Sequence, residues 1–360
     1  MKNILFFLIV IFVLLAMNYY FFFKLQKNFH LSDNLIIFSK IILYILVFSP
    51  FLLKTAEAFN YLVFAKVLAY PVYLWLCFIF LFLVFGLLLD FLHIMNLINA
   101  GKIAFILPLC ISLLIIIYGF YEASNIKIHT VQIKSSKIAK NYSPLKIVQI
   151  SDLHLGLLTN EGNIKKIIKK IKNLNPHIVV CTGDLVDGEF FNGNNLKDIF
   201  LSLTPEYGKY CVTGNHEYYA GIDKSITFIK DSGFILLQNE VITLPNLINI
   251  TGVNDETDPN SNLRDTTDID EKLFTLLLKH RPDTNDNLNN LIDLQLSGHT
   301  HAGQVFPFNF LTYIFYPIKC SNLITKKDRQ IYVNPGTGTW GPPIRFLAPP
   351  EITLIEIIAE

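Results

Sequence analysis

Charged side chains are scarce in this sequence, and neither sign of charge dominates. Of the 360 residues, 16% are Asp, Glu, Lys or Arg, 52% are hydrophobic, and the formal net charge is +1. Soluble domains carry about 25% charged residues, so this composition indicates a membrane protein. Because the chain lacks a strongly basic balance, we predict no nucleic-acid partner.

Cysteine is also sparse, and the common signatures built on cysteine or serine are missing. Cys77 and Cys110 lie in apolar runs, and Cys181, Cys211 and Cys320 lie in the more polar second half, without Cys-x-x-Cys spacing. This pattern implies neither a disulfide framework nor a zinc–cysteine site, and it is consistent with a reducing compartment. No Gly-x-Ser-x-Gly motif occurs, so the sequence has no signature of a serine α/β-hydrolase.

Long apolar segments fill the first third of the chain. The first is too long for the hydrophobic part of a signal peptide, and no small-residue cleavage site follows it. A helix needs about 20 apolar residues to span a bilayer, so we predict four transmembrane helices. They cover residues 4–23, 35–53, 61–89 and 103–121. Lys40 leaves a buried globular helix as the alternative for the second segment.

These segments divide the chain into a predicted membrane anchor, residues 1–122, and a predicted catalytic domain, residues 123–360. Four spans place both ends of the chain on one side of the membrane. A cluster of lysines after the last span favours the cytoplasmic side: Lys127, Lys134, Lys137, Lys140 and Lys146. We therefore predict a multi-pass protein of the cell inner membrane with a cytoplasmic catalytic domain.

In the second domain, apolar strands alternate with amphipathic helices, which predicts an α/β fold. Strands are predicted at 145–150, 177–181, 210–212, 248–253, 274–279, 291–296, 331–333 and 352–357. Helices are predicted at 161–173, 195–203 and 222–230, and the acidic stretch 254–270 is predicted to be a loop or a poorly ordered insertion.

Polar side chains that can bind metals follow several of these strands. In α/β sheets, ligand sites gather at the carboxyl ends of strands. The candidates are Asp152, His154, Asp184, Asn215, His216, His280, His299 and His301. Carboxylate, amide and imidazole groups without thiolates suit Mn²⁺, Fe or Zn²⁺, and Mg²⁺ less well.

The order of these motifs resembles the calcineurin-like metallophosphoesterases over residues 145–357. The motifs are Asp152-x-His154, Gly183-Asp184-x-x-Asp187, Gly214-Asn215-His216-Glu217, the isolated His280, and Gly298-His299-x-His301. Residues 332–345 and 348–352 resemble the bacterial membrane-associated branch. The resemblance implies a two-sheet α/β sandwich that follows the membrane anchor.

The resemblance also implies a role for each residue and a cofactor of two divalent metal ions, Mn²⁺ first, with Fe, Zn²⁺ or Mg²⁺ as alternatives. Asp184 would bridge both ions. His216 would contact phosphoryl oxygens and protonate the leaving group, and Asp187 would orient it. The remaining ligands would be Asp152, His154 and His301 for one ion, and Asn215, His280 and His299 for the other.

Two divalent ions can hold a hydroxide between them, so we predict direct attack of this hydroxide on phosphorus without a phosphoenzyme. The protein-phosphatase branch carries an arginine after the second Asp of the Gly-Asp motif, where this chain has Gly188. The departure disfavours phosphoprotein substrates. Arg281 and Arg345 are candidate replacements for that arginine.

The predicted function is a membrane-bound metallophosphoesterase that cleaves a phosphoester or pyrophosphate bond, with membrane lipids and a phosphorylated, lipid-linked substrate as partners. One specific alternative is a UDP-2,3-diacylglucosamine-type pyrophosphatase of lipid A synthesis. A second alternative is a non-catalytic membrane scaffold or sensor, and a third is a transporter whose second domain regulates it.

Several features carry a structural interpretation beside a functional one. The aromatic segment 306–318 is predicted to pack in the core, with an apolar rim for an acyl chain or the membrane surface as the alternative. The lysine-rich face of helix 161–173 is predicted to be solvated, with anionic lipid binding as its alternative. His177 and Cys181 are predicted to be structural.

Overall fold

The computed structural model describes residues 2–99, 101–188, 193–261, 268–284, 288, 291–326 and 329–360. The chain forms two compact units, Met1–Phe120 and Tyr121–Glu360. Each unit is described by itself below.

The first unit consists of long apolar helices, as the sequence predicts. They are α1 (Lys2–Asn28), α2 (Asp33–Ala58), α3 (Leu62–Ile94) and α4 (Ile103–Ser124), whose last turn belongs to the second unit. Within the described residues, these four helices are long and apolar enough to cross a membrane. Each extends beyond its predicted segment, and α3 continues through Pro71.

Polar side chains inside the first unit bind one another. Asp90 of α3 accepts hydrogen bonds from the Lys24 ammonium and, at 2.7 Å, from the Tyr20 hydroxyl of α1. The Trp75 indole donates to Asn18 Oδ1 at 3.0 Å. Ionisable residues are costly in lipid unless they are paired, so these contacts lower the cost of placing Lys24 and Asp90 in membrane-type helices.

The second unit contains two mixed sheets, so the predicted α/β class is confirmed. In the described part of the chain, the first sheet has the order β1-β12-β2-β3-β4-β5 and the second has the order β10-β11-β9-β8-β7-β6. The first six strands are β1 (Lys127–Ser135), β2 (Leu145–Ile150), β3 (Ile178–Cys181), β4 (Lys209–Cys211), β5 (Ile235–Leu236) and β6 (Glu240–Leu244). The others are β7 (Ile248–Gly252), β8 (Phe274–Leu278), β9 (Leu294–Ser297), β10 (Leu323–Lys326), β11 (Arg329–Val333) and β12 (Glu351–Ala359).

The helices of this unit are α5 (Glu161–Asn173), α6 (Gly193–Leu201), α7 (Asn215–Ala220), α8 (Ile222–Asp231) and α9 (Phe308–Phe315). One apolar core joins Ile147, Val180, Ile250 and Leu276 between the two sheets. A second core packs α5, α6 and α8 on the first sheet. Strands β2 and β3 contribute apolar side chains to both cores. Strand β3 is a continuous apolar run, whereas β2 also contains Lys146 and Gln149.

The spacing of apolar residues in helix α5 determines which of its faces packs against the sheet. Its buried side chains recur at helical spacing, and Asn160 caps its first turn by accepting the Gly162 amide at 2.8 Å. The buried residues are Ile164, Ile167, Ile168 and Ile171.

Three parts of the fold differ from the sequence expectations, and one expectation falls partly outside the described residues. Strands β1, β5, β6 and β10 were not predicted, nor were helices α7 and α9. Part of the predicted acidic loop, residues 262–267, lies outside the described residues. The expectation that segment 306–318 packs in the core is wrong for α9, which has no buried residue. Its aromatic side chains are exposed because the helix lies outside the sheets rather than between them.

Candidate metal centre

The candidate site is formed where several strands end. Asp152 and His154 follow β2, Asp184 follows β3, and Asn215 and His216 open α7 directly after β4. His280 follows β8, while His299 and His301 follow β9. Strands β2, β3 and β4 run parallel, as do β8 and β9, so their carboxyl ends bring these side chains together.

Asp152, His154 and His301 form the first donor set. One ligand atom from each lies within 4.8 Å of the others. The Nε2 atoms of His154 and His301 are 2.9 Å apart, and Asp152 Oδ1 lies 3.5 Å from His301 Nε2. Both oxygens of Asp152 also accept the His299 amide, at 3.0 and 3.1 Å, which fixes the carboxylate.

Asp184, His280 and His299 form the second donor set, again within 4.8 Å of one another. His280 Nε2 lies 3.1 Å from Asp184 Oδ2 and 3.2 Å from His299 Nδ1. The far nitrogen of His280 meets the Thr182 carbonyl at 2.7 Å, and that of His299 meets the Tyr316 hydroxyl at 3.0 Å. In each imidazole, one ring nitrogen makes this supporting contact and the other faces the remaining donors of the set.

Asp184 joins the two sets. It also lies within 4.8 Å of His154 and His216 by the same measure. Its Oδ2 is 3.8 Å from His154 Nε2, and its Oδ1 accepts the His216 amide at 2.9 Å. The Asp184 carboxylate is therefore close to ligand atoms of both donor sets.

Burial dominates the electrostatics of the site. It raises the pKa of Asp152 to about 6, although His280 opposes the rise. Burial also lowers the pKa of His154 to about 4 and that of His299 to about 3. His280 behaves oppositely: burial tends to lower its pKa, but Asp184, Asp152 and Asp255 together raise it to about 10.

The residues fit divalent cations. One predicted ligand atom, Asn215 Oδ1, is buried and has no hydrogen-bond partner among the described residues. Buried polar atoms are rarely left unsatisfied, and a bound ion is one standard partner for such an atom. Imidazole nitrogens that approach one another beside carboxylates form a donor set that suits Mn²⁺, Fe or Zn²⁺.

The backbone at the site is strained. Asp152, His154, Asp184, His299 and His301 all have positive φ, between 48° and 71°. Such a conformation costs about 1–3 kcal/mol per residue and clusters at functional sites. Five strained residues among the seven predicted ligands mark this edge of the sheets independently of side-chain chemistry.

Two glycines allow the close approach of the loops. A Cβ at Gly298 would collide with Ser151 Oγ and Asp152 Oδ2, and one at Gly214 would lie 2.7 Å from the Asp184 amide nitrogen. Both glycines therefore keep space for the carboxylates of Asp152 and Asp184.

His216 and Asp187 form a pair beside the donor sets. The Nδ1 of His216 lies 2.9 Å from Asp187 Oδ1. Burial tends to lower the pKa of His216, but the hydrogen bond with Asp187 and the charge of Asp184 produce a net rise. The ring also packs edge-on against His154 and Trp340, with centroid distances of 4.6 and 5.6 Å.

The sequence analysis assigned no role to three supporting residues, although Glu217 is part of one of its motifs. Glu217 is fully buried, and its carboxylate accepts the amides of Gly214, Asp184 and Val186 at 2.6–3.1 Å. Burial raises the pKa of Glu217 to about 7. Its place three residues after Gly214 is the one local signal, because a Glu there can accept the first amide of a helix. Tyr316 and Trp340 have no comparable signal.

Neither arginine considered as a phosphate clamp is free for that task. Arg345 is fully buried and donates to the carbonyls of Pro335, Gly338 and Ala348 at 2.6–3.0 Å. Its Nη2 also lies 3.3 Å from His301 Nδ1. Arg281 binds Asp255 at 2.8 Å. Both arginines are thus engaged in holding the loops.

The residues predicted to be structural lie away from the donor sets. His177 Nδ1 accepts the Lys146 amide at 3.0 Å, and Cys181 is fully buried in β3.

Comparison with known proteins finds similarity to metal-dependent phosphoesterases. The sequence profile described as calcineurin-like phosphoesterase matches residues 145–303. A metallophosphoesterase of Aquifex aeolicus (strain VF5) is 34% identical over 263 residues, covering 69% of this chain and 97% of that protein. The transmembrane protein with metallophosphoesterase domain of Danio rerio is 29% identical, covering 69% of this chain and 62% of its own length. The UDP-2,3-diacylglucosamine pyrophosphatase LpxG of Chlamydia muridarum is 28% identical, covering 60% of this chain and 84% of its own.

Proposed function

We propose, from the premise that this chain belongs to the calcineurin-like metallophosphoesterase family, that it is a membrane-anchored phosphohydrolase working with two divalent cations. The family makes it a hydrolase acting on phosphoester bonds. The observation that carries the two-cation proposal is the position of Asp184, which has donors from both sets within reach.

The proposed ligands are those expected from the sequence. Asp184 would be shared, with Asp152, His154 and His301 on one cation and Asn215, His280 and His299 on the other. The imidazole-rich set favours Mn²⁺, with Fe, Zn²⁺ and Mg²⁺ as alternatives. When bound, the two cations supply an activated water and neutralise charge on the phosphoryl group.

His216 is the proposed proton donor to the leaving group. With Nδ1 engaged by Asp187 at 2.9 Å, Nε2 is the atom that remains for a phosphoryl or leaving-group oxygen. The neighbouring carboxylates raise the pKa of His216, which favours the protonated ring that this role needs. Asp187 is proposed as a positioning residue, since it fixes the orientation of the imidazole.

An amphiphilic, lipid-linked phosphoester or pyrophosphate is the proposed substrate class. Support comes from the candidate membrane spans in the same chain and from the similarity to the chlamydial pyrophosphatase. A UDP-2,3-diacylglucosamine-type pyrophosphate is the specific candidate. Cells depleted of the protein and cells that express only the Asp184→Asn form should both accumulate the same lipid-linked precursor. Unchanged lipid pools would remove this substrate class while leaving the reaction class untouched.

We further propose that residues 1–122 anchor the protein in the cell inner membrane and that the domain 123–360 is cytoplasmic. The lysines that follow the last span support this orientation. A green fluorescent protein fused after Glu360 should fluoresce, whereas alkaline phosphatase fused there should be inactive. The reverse result would place the domain outside the cytoplasm.

Hydrolysis of a chromogenic phosphodiester tests the proposed activity. Purified full-length protein should hydrolyse it with added Mn²⁺ and lose the activity after chelation. A protein that binds cations but shows no turnover on phosphodiester, phosphomonoester or pyrophosphate substrates would instead support the alternative of a membrane scaffold or sensor.

A further inference from the structure

Helix α9 presents an apolar surface to its surroundings. Six of its eight side chains are large and hydrophobic, and each is between 43% and 75% exposed. They are Phe308, Phe310, Leu311, Tyr313, Ile314 and Phe315. Scattered exposed apolar residues are ordinary, but a contiguous group of this kind marks a site for a protein, a ligand or a membrane.

The opposite face of α9 is polar and attached to the domain. Asn309, Thr312 and Tyr316 recur three and four residues apart, which places them on one side of a helix. Asn309 donates to the carbonyls of Ala302 and Leu347 at 2.8 and 3.2 Å. Tyr316, just after the helix, contacts His299 of the second donor set at 3.0 Å. The apolar face is therefore held outward by fixed contacts.

Leu347 connects α9 to the end of the last candidate span. Its carbonyl accepts from Asn309, and its amide donates to Glu122 Oε2 at 3.0 Å. Glu122 lies in the last turn of α4. Leu347 therefore contacts both α9 and the segment through which the chain leaves that span. Leu347 itself is exposed and adds to the apolar surface.

The sheet topology places the candidate metal centre at the same edge. Strand β1 begins at Lys127, opposite Glu351 at the start of β12. Strand β12 is antiparallel to β2, with Thr353 opposite Gln149. The carboxyl end of β2, which leads into Asp152, therefore lies at the edge where α4 passes into β1.

We propose that α9 inserts its apolar face into the lipid–water interface of the bilayer that the spans cross, so that the candidate metal centre opens at the membrane surface. Amphipathic helices with large apolar side chains such as Phe and Leu on one face can lie at the boundary between headgroups and acyl chains. Lys127, at the start of β1, and Lys319, four residues after α9, are exposed and can meet anionic headgroups. The inference depends on the spans being inserted in a bilayer and is independent of the proposed reaction.

Photo-crosslinking in single-copy nanodiscs tests this inference on the full-length chain. Phe310 is replaced by the photoreactive analogue p-benzoylphenylalanine, and labelled phospholipid is the probe. The same analogue at Leu201, an exposed apolar residue of α6 on the helix layer, is the matched control. The analogue at Ile117, on the exposed side of α4, reports insertion of the spans.

The inference predicts lipid crosslinks from positions 310 and 117 and none above background from position 201. Lipid crosslinks at 117 without any at 310 would overturn it, and so would equal labelling at 310 and 201. Crosslinks from position 310 to protein in a preparation with two copies, without lipid adducts, would assign the face to a second copy of the chain. An absence of lipid crosslinks from position 117 would show that the spans are not inserted in the bilayer, and it would overturn the inference as well.

Discussion

The two donor sets are built from the same chemistry but are supported differently. Behind the first set lies Arg345, which is buried, bound to backbone carbonyls and 3.3 Å from His301. Behind the second lies Tyr316, which joins His299 to an exposed helix. The first set is therefore supported by a buried side chain, whereas the second is supported by a residue next to an exposed helix.

The difference also appears in the charges of the imidazoles. Burial depresses the pKa of both His154 and His301 in the first set. In the second set, burial opposes a charge on His280, but Asp184 and the neighbouring carboxylates raise its pKa to about 10, while burial lowers the pKa of His299 to about 3. Asp184 Oδ2 also lies closer to His280 Nε2 of the second set, at 3.1 Å, than to His154 Nε2 of the first, at 3.8 Å. The two sets should respond separately to changes in their own supports and together to a change at Asp184.

Replacing the shared carboxylate should have the largest effect. Asp184→Asn keeps the size of the side chain and removes the charge that both cations need, so we expect phosphodiester hydrolysis to fall by about 10³-fold or more. The matched control is Asp198→Asn on the exposed side of α6, which should leave hydrolysis unchanged. Retention of more than a small fraction of activity by Asp184→Asn would show that the sets work independently.

Removing one imidazole from each set should be nearly as severe. We expect His301→Ala and His299→Ala each to lower kcat by about 10²–10³-fold, because one missing cation removes part of the charge stabilisation. Residues that act as a unit are not additive, so the double variant should be little worse than the worse single variant. Effects that multiply would contradict a joint site.

The pair outside the donor sets should affect catalysis without affecting metal content. His216→Gln should lower kcat by about 10²–10⁴-fold, as expected for loss of a proton donor. Asp187→Asn should cost less, about 10- to 100-fold, because it only positions the ring. Both variants should retain wild-type metal content by elemental analysis. Loss of metal from His216→Gln would make this residue a ligand instead.

The supports should separate the sets with smaller effects. Arg345→Lys should weaken metal binding at the first set, and Tyr316→Phe should weaken it at the second, each by about 10- to 100-fold. Metal titration of each variant should then show one weakened site beside one that is unchanged. If both variants weaken the same site, the structural distinction between the sets has no energetic counterpart.

The sequence predicted the candidate ligands because their signal is local. Asp152, Asp184 and Asn215 each stand within a few residues of an apolar strand, and parallel strands bring such ends together. The α/β class followed from the same alternation, and α5 followed from its isoleucine spacing. These features need no knowledge of distant contacts.

The features that could not be predicted from the sequence depend on contacts between residues that are far apart in the chain. Arg345 meets His301 across 44 positions, and β1 pairs with β12 across more than 200 residues. The surroundings of α9 were also misjudged, since an aromatic run has the same composition whether it packs inside or faces outward. The contacts of Asn309 and Tyr316 show which side of that helix meets the domain.

The central claim is that two cation sites share Asp184, and metal stoichiometry tests it most directly. Full-length protein, His299→Ala and His301→Ala would each be titrated with Mn²⁺ under the same conditions and the bound metal counted. The account predicts two equivalents per chain for the wild type and one tight equivalent for each variant. A single equivalent in the wild type, or two undiminished equivalents in either variant, would contradict it.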